Sequence, residues 1–227
     1  MKYIIIGLGR FGSRLATNLT AMGHEVIGID NNAERLEEYK DSIPTIMKMD
    51  STNVNAVKSL PLDDIDAIIV TMGEDVAASV LTLSILKNLK VKRIMGRAIN
   101  QIHRDILTQI GIEEVILPLE DSALHVSSML QLKNALRVIE ISIDYVIAEV
   151  FVPEKYVGHL LETVSIQERF NIKVVAIKSA PEEDLLSSIF HRNHKVNLFY
   201  DTDKALIIND ILIIAGKISD IKRFMES

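Results

Sequence analysis

The chain has 227 residues, 48% of them hydrophobic and 25% charged, with a formal net charge of −6 and no cysteine. That size suits one large or two modest domains, and the apolar share is enough to bury a core. The missing thiols exclude disulfides, Fe–S ligation and thiolate catalysis and fit a reducing cytosol, while the acidic balance argues against nucleic acid as the main partner. The longest uncharged stretch, Val76–Leu86, falls well short of the ~20 residues of a membrane helix, so no membrane segment of its own is expected. The Tyr3–Gly9 run is too short for a signal-peptide core.

The first thirty residues carry the densest pattern. Lys2-Tyr3-Ile4-Ile5-Ile6, an apolar β-branched run, leads into Gly7-Leu8-Gly9-Arg10-Phe11-Gly12, and Phe11, Leu15, Leu19 and Met22 then recur at helical spacing. The pattern predicts a strand, a tight turn and a helix stopped by Gly23. Val26–Ile29 reads as a second strand with Asp30 at its carboxyl end. Gly7 permits the turn, Gly9 lets a phosphate approach the backbone, and Gly12 lets the helix pack near the strand. The helix N-terminus offers unpaired N–H groups and partial positive charge to a diphosphate. A carboxylate about 20 residues on accepts hydrogen bonds from ribose hydroxyls. Glycine spacing alone is a weak signal, but strand, turn, helix and Asp30 together point to a bound adenine nucleotide.

Strand and helix go on alternating. Asn31 or Asn32 caps a short helix over Ala33–Lys40. Pro44–Met49 is the weakest strand, and Asp50-Ser51-Thr52 reads as the cap of a helix over Val54–Leu60. Asp66–Met72 is a buried-strand run ending at Gly73. The helix over Asp75–Leu89 is apolar nearly all round, as expected of one sandwiched in an interior or covered by a second subunit. Val91–Ala98 is a fifth strand, Gln101–Ile110 a helix ended by Gly111, and Glu114–Leu117 a sixth strand. Such alternation specifies a Rossmann-like, doubly wound α/β fold: a parallel sheet with helices on both faces and ligands at the carboxyl ends of its strands. The cluster Lys87, Lys90, Lys92 and Arg93 reads as a solvated helix end.

Asp121–Leu136 carries more apolar surface than one helix needs against its own sheet and reads as a crossover or dimerisation helix. Near Arg137 the character changes. Ile139, Ile141, Ile143, Tyr145 and Ile147 alternate with polar residues, which predicts one half-exposed strand ending at Pro153. Leu160–Phe170 is a helix, Lys173–Lys178 a strand, and Val196–Tyr200 and Ala205–Ile208 short strands. Asn209-Asp210 turns the chain into Ile211–Ala215, and Ile218–Met225 closes as a helix. The domain reading is 1–118 for a nucleotide-binding half, 119–137 for the connecting helix and 138–227 for a small α+β lobe.

These residues resemble one family, the KtrA/TrkA-type regulatory subunits of bacterial potassium uptake systems, built from an RCK (KTN) domain. The resemblance covers essentially the whole chain. It is most specific at Gly7–Gly12, at Met22-Gly23-His24-Glu25-Val26 leading to Asp30, at Pro118-Leu119-Glu120 and at Asn209-Asp210. It implies a cytoplasmic protein, peripheral to the inner face of the membrane: homo-dimers assembled into a higher ring, an octamer, docked on a Ktr/Trk-type potassium channel or transporter subunit. It implies that Arg10 reaches the nucleotide phosphates, that Asp30 holds the ribose, that Asp50 lies beside the adenosine, that Gly73 faces the ligand from the other wall, and that Arg97 is a basic phosphate contact. Phe11, Asn31 and Ser51 join this cofactor-binding set. The family more often has Gly-Asp-x-Thr where this chain has Met49-Asp50-Ser51-Thr52, which puts a close backbone approach there in question. Glu120 is implied to lie near the phosphates at the dimer interface, where a Mg²⁺ or Ca²⁺ ion would bridge it to them.

Catalytic machinery is not evident. His191-x-x-His194 reads as a surface pair, and His103 lies on a helix after the sheet. Paired catalytic carboxylates, a Ser-His-Asp set and a P-loop Gly-Lys-Ser are missing. The expectation is a non-enzymatic sensor of ATP, ADP or NAD(H) that regulates ion transport. The alternative is an NAD-dependent oxidoreductase, because Asp30 would hold the ribose of any of these.

Overall fold

The alternating first half folds as a parallel sheet in the computed structural model, which describes residues 1–133, 135–179, 195–198, 200 and 203–227. Its strands are β1 (Lys2–Ile6), β2 (Glu25–Asp30), β3 (Thr45–Lys48), β4 (Ala67–Val70), β5 (Ile94–Arg97) and β6 (Glu114–Ile116). They pair in the order β3-β2-β1-β4-β5-β6, every pair parallel. The connecting helices are α1 (Arg10–Ala21), α2 (Ala33–Tyr39), α3 (Val54–Lys58), α4 (Val76–Asn88) and α5 (Gln101–Gln109). Strand order reverses between β1 and β4, so the chain leaves these neighbours toward opposite sides and a crevice opens at their carboxyl ends.

The central strand explains why the sequence reads as unbroken apolar runs rather than alternation. Ile4 and Ile6 join one core with Ile68 and Val70, while Ile5 joins the other with Leu8 and Ala16. A strand covered on both faces has no side to give to water. Helix α1 lies close to the sheet because its buried residues, Gly12, Ser13 and Ala16, are small. Met22 does not complete the helix's apolar face, as its spacing suggested; it is 70% exposed, because the helix ends at Ala21 and Gly23 turns the chain away at φ +84°. Helix α4 buries Ser79, Thr82, Leu83 and Leu86 and leaves Leu81 exposed.

The chain divides into two compact units, Met1–Asp121 and Ser122–Ser227. Helix α6 (Pro118–Gln131) crosses that division. In the second unit, β7 (Ala135–Glu140), β8 (Tyr145–Phe151), β9 (Lys173–Ser179), β10 (Lys195–Asn197) and β11 (Ile211–Lys217) pair antiparallel in the order β10-β9-β11-β8-β7. One face of this sheet supplies Val146, Ala148, Val150, Leu212 and Ile214. These form a core with residues of α7 (Leu161–Val164), α8 (Ile166–Phe170) and α9 (Ile218–Met225), among them Phe170, Ile221 and Phe224.

Here the elements differ from the sequence pattern. The helix expected to run to Leu136 stops at Gln131, because Leu132 is buried in the lobe core and the chain enters β7 at Ala135. The single strand expected through Ile147 is a hairpin, with Ile139 opposite Ile147 and Ile143 96% exposed at the bend. Ile141 and Ile143 keep the two-residue period through the bend, so alternation could not mark it. The helix expected over Leu160–Phe170 breaks at Ser165, whose φ is +50°. Ala205–Ile208 makes only an isolated bridge, at Ala205 to Leu160, and β11 pairs instead with β8 and β9. The Asn209-Asp210 turn forms, with the Asp210 N–H donating to the Ile207 carbonyl at 3.0 Å. His191 and His194 lie outside the described residues.

Candidate functional site

A cleft of about 350 Å³ lies where β1 and β4 part. Its floor is the glycine turn, and each glycine there has a different reason to be one. Gly7 adopts φ +98°, where side chains are strained, and a Cβ would approach Met72 Cγ to 2.8 Å. At Gly12 a Cβ would stand 1.9 Å from the Gly7 carbonyl oxygen and 2.4 Å from Thr71 Oγ1. These two glycines are demanded by packing. Gly9 is not: its φ is −70°, and a Cβ would meet no protein atom within 4 Å. It caps α1 without a side chain, and it lines the cleft, so a phosphate can come against its backbone and the first N–H groups of the helix.

Asp30 sits at the end of β2, 5% exposed. Its Oδ2 accepts from the Leu8 N–H at 2.7 Å and its Oδ1 from the Asn32 N–H at 2.8 Å. The carboxylate therefore ties the end of β2 to the glycine turn. Two oxygens offer about four acceptor positions, which leaves capacity for ribose hydroxyls. Arg35 Nη1 lies 3.7 Å from Asp30 Oδ2, and Arg35 Nη2 lies 3.6 Å from Glu74 Oε2, so this guanidinium reaches from one wall to the other. Asn31 lines the same end, while the cap of α2 is Asn32, accepting from the Glu34 N–H.

The third wall comes from the loop after β3. Asp50 Oδ1 accepts from both the hydroxyl and the N–H of Thr52, at 2.7 and 2.9 Å, and the hydroxyl and then the amide hold the carboxyl below its ordinary range. Asp50 thus closes a local turn, and the cap of α3 is Asn53, not the Asp50-Ser51-Thr52 stretch. Ser51 is buried, 2.9 Å from the Thr82 hydroxyl of α4.

Arg97, at the end of β5, closes the cleft on the far side. Its Nη1 donates to the Thr71 carbonyl at a long 3.4 Å, and its Nε is buried with no hydrogen-bond partner. Gly73 lines the cleft beneath it, and Phe11 stands behind, its ring centroid 5.6 Å from the Arg97 guanidinium carbon. Arg10 lines the cleft and is exposed.

The cleft so gathers Gly7, Gly9, Arg10, Asp30, Asn31, Asp50, Ser51, Gly73 and Arg97, with Phe11 and Gly12 behind them. Glu120, in the first turn of α6, is exposed and does not line it. Among the described residues no group of three or more His, Cys, Asp or Glu side chains comes together as a metal site. Sequence reasoning passed over Thr71, Arg35 and Glu74. Thr71 Oγ1 donates to the Gly7 carbonyl at 2.5 Å, across 64 residues of sequence, and so holds the turn. No local pattern marks such a residue. An arginine five positions after Asp30 is equally silent until α2 places it.

Helix-end donors, a free guanidinium edge and a buried carboxylate in one crevice can bind a nucleotide's phosphates and ribose at once. The TrkA-N domain family matches residues 3–118, the whole of the parallel sheet and its first connections. The chain belongs to the TrkA-N family. Ktr system potassium uptake protein C of Bacillus subtilis (strain 168) is 30% identical over 226 residues, covering 98% of this chain and 95% of that relative. The RCK domain of GsuK shares the fold of this TrkA-N protein with a TM-score of 0.65 at 15% identity, covering all of this chain and 48% of that one. The GsuK channel bound to NAD matches at TM-score 0.63 and 15% identity, with the present chain spanning 39% of it. Among the described residues no helix is long and apolar enough to cross a membrane.

Proposed function

We propose that this protein is a nucleotide-sensing regulatory subunit of a Ktr/Trk-type potassium uptake system. An adenine nucleotide, ATP, ADP or NAD(H), binds in the cleft, with Asp30 on the ribose and Arg10, Arg97 and the Gly9 backbone on the phosphates. Asn31, Asp50 and Ser51 border the adenosine. The observation that carries the reading is the pairing of a buried, unpartnered Arg97 Nε with a glycine that packing does not require, both lining one cleft. Full-length similarity to a Ktr potassium uptake protein and the NAD held by the fold-related GsuK channel support it.

In this reading the protein is cytoplasmic and peripheral to the inner face of the membrane, and it works as homo-dimers gathered in an octameric ring on a membrane potassium transporter subunit. The connecting helix, α6 (Pro118–Gln131), serves as the dimerisation element. Its exposed Leu119, Leu124, Val126 and Leu130 suit that use. Glu120 meets the phosphates of the partner's nucleotide through Mg²⁺ or Ca²⁺. Ligands of different phosphate charge bias two dimer conformations because they bind them unequally; a ligand with equal affinity for both would shift nothing. Coupling of about 1–3 kcal/mol is enough to change transport.

Calorimetry with ATP, ADP, AMP and NADH, with and without Mg²⁺, tests this. Arg10→Ala is expected to weaken ATP and ADP more than AMP. Glu120→Gln is expected to remove the Mg²⁺ dependence and leave metal-free affinity unchanged. Affinities independent of phosphate number would overturn the sensing role, and robust NADH turnover over candidate substrates would instead establish the oxidoreductase.

A further inference from the structure

We propose that Phe11 and Gly73 are positioning residues that set where the Arg97 guanidinium lies at the phosphate end of the cleft, making this side chain, with Arg10, a reader of ligand charge. The inference rests on the nucleotide reading of the cleft and names the residues that set its phosphate selectivity.

Two neighbours frame the guanidinium. Its carbon is 5.6 Å from the centroid of the Phe11 ring. A Cβ added to Gly73 would stand 2.7 Å from Nη1 and 3.0 Å from Cζ, so a side chain there displaces the guanidinium. Gly73 does not need to be glycine for its backbone, because its φ lies outside the left-handed region; what its missing side chain provides is the space the Arg97 guanidinium occupies. Phe11 has its own peculiarity. It is only half-buried at the start of α1, whereas the residues that bury that helix are Gly12, Ser13 and Ala16.

What these neighbours frame is an underused fork. A guanidinium carries five N–H donors. Here the Thr71 carbonyl takes one, at 3.4 Å, and Nε is buried without a partner. A buried donor left unpaired is costly, and an anion placed against its edge recovers that cost. Phosphate suits the fork because its oxygens accept two parallel hydrogen bonds. Fixing the plane beforehand reduces the ordering needed when the anion arrives. These contacts also join three elements, α1 through Phe11, β5 through Arg97 and the β4–α4 connection through Thr71 and Gly73. Phosphate charge drawn to Arg97 is thereby felt by all three.

The test is calorimetry on the full chain with adenosine, AMP and ADP. Phe11→Leu keeps apolar bulk and removes the aromatic face. It is expected to lower ADP affinity about threefold to tenfold, the range of a partly desolvated cation–π contact, with adenosine affinity unchanged. Phe11→Tyr restores the face and is expected to restore ADP affinity. Gly73→Ala is expected to lose the same phosphate increment, and it carries the test if Phe11→Leu fails to fold. In an Arg97→Gln background, Phe11→Leu is expected to have no further effect on ADP. Adenosine and ADP affinities falling in parallel, or additive losses in the Arg97→Gln background, would overturn the positioning role. A wild-type chain that binds neither AMP nor ADP would overturn the nucleotide reading itself.

Discussion

The two ends of the cleft are built on opposite plans. At the ribose end the acceptors are already engaged: Asp30 takes two backbone N–H groups and stands beside Arg35, which also faces Glu74. At the phosphate end the donors are spare: Arg97 Nε has no partner, and Gly9 presents bare backbone at a helix start. One end is therefore part of the fold whether or not a ligand comes, while the other is arranged for a charge that the chain does not supply. Substitutions at the ribose end should cost stability and binding together. At the phosphate end they should cost binding alone.

Gly12→Ala should show the largest effect and sets the scale, because its methyl would fall 1.9 Å from a carbonyl oxygen in a packed crossing. A loss of about 3 kcal/mol or more is expected, read as failure to fold or a collapsed melting temperature. Asp30→Ala comes next. It strips the buried Leu8 N–H of its acceptor, and about 1–3 kcal/mol should be lost in denaturant titration with no nucleotide present. An unchanged midpoint would mean that the ribose end is not structural, which breaks the contrast.

His103 supplies a control that does not line the cleft. Both its ring nitrogens are buried without hydrogen-bond partners, and burial pushes its pKa below the ordinary value. The unfolded chain then binds a proton near pH 6.5 that the folded chain resists, so stability holds above that pH and falls on acidification through it. The slope is at most about 1.4 kcal/mol per pH unit. His103→Leu should flatten this dependence in thermal melts between pH 7.5 and pH 5.5, and ADP should leave it unchanged (both pH values are roughly those bracketing free imidazole).

Gly9→Ala should disturb stability least, within about 0.5 kcal/mol, since its methyl meets no protein atom. It should nonetheless weaken ADP binding measured by calorimetry. A stable variant with undiminished affinity would show that the phosphates lie elsewhere.

Legibility in the sequence followed the distance over which each feature is decided. The first unit was readable because a parallel sheet covered on both faces writes itself as apolar runs separated by glycine and asparagine caps, each local. Even the weak strand at Thr45–Lys48 was placed. The second unit was harder. Its hairpin between Glu140 and Tyr145 hid behind an unbroken alternation, and the break at Ser165 came from packing rather than from a glycine or proline. Within the cleft, Asp50 read as part of the cap of the next helix, whereas its carboxylate closes a local turn with Thr52 and Asn53 is the cap.

The order of residues alone determined the glycine turn, the helix it opens and the acidic residue that answers it, because backbone freedom, helix dipoles and side-chain spacing act within a few residues. Tertiary structure alone decided that Thr71 grips the Gly7 carbonyl across 64 residues, that Arg35 spans two walls, and that Gly73 and Phe11 lie beside Arg97. Those contacts join strands that are neighbours only in the sheet, and neither a strand's place in a sheet nor the side chain it meets there is encoded in any local stretch of sequence.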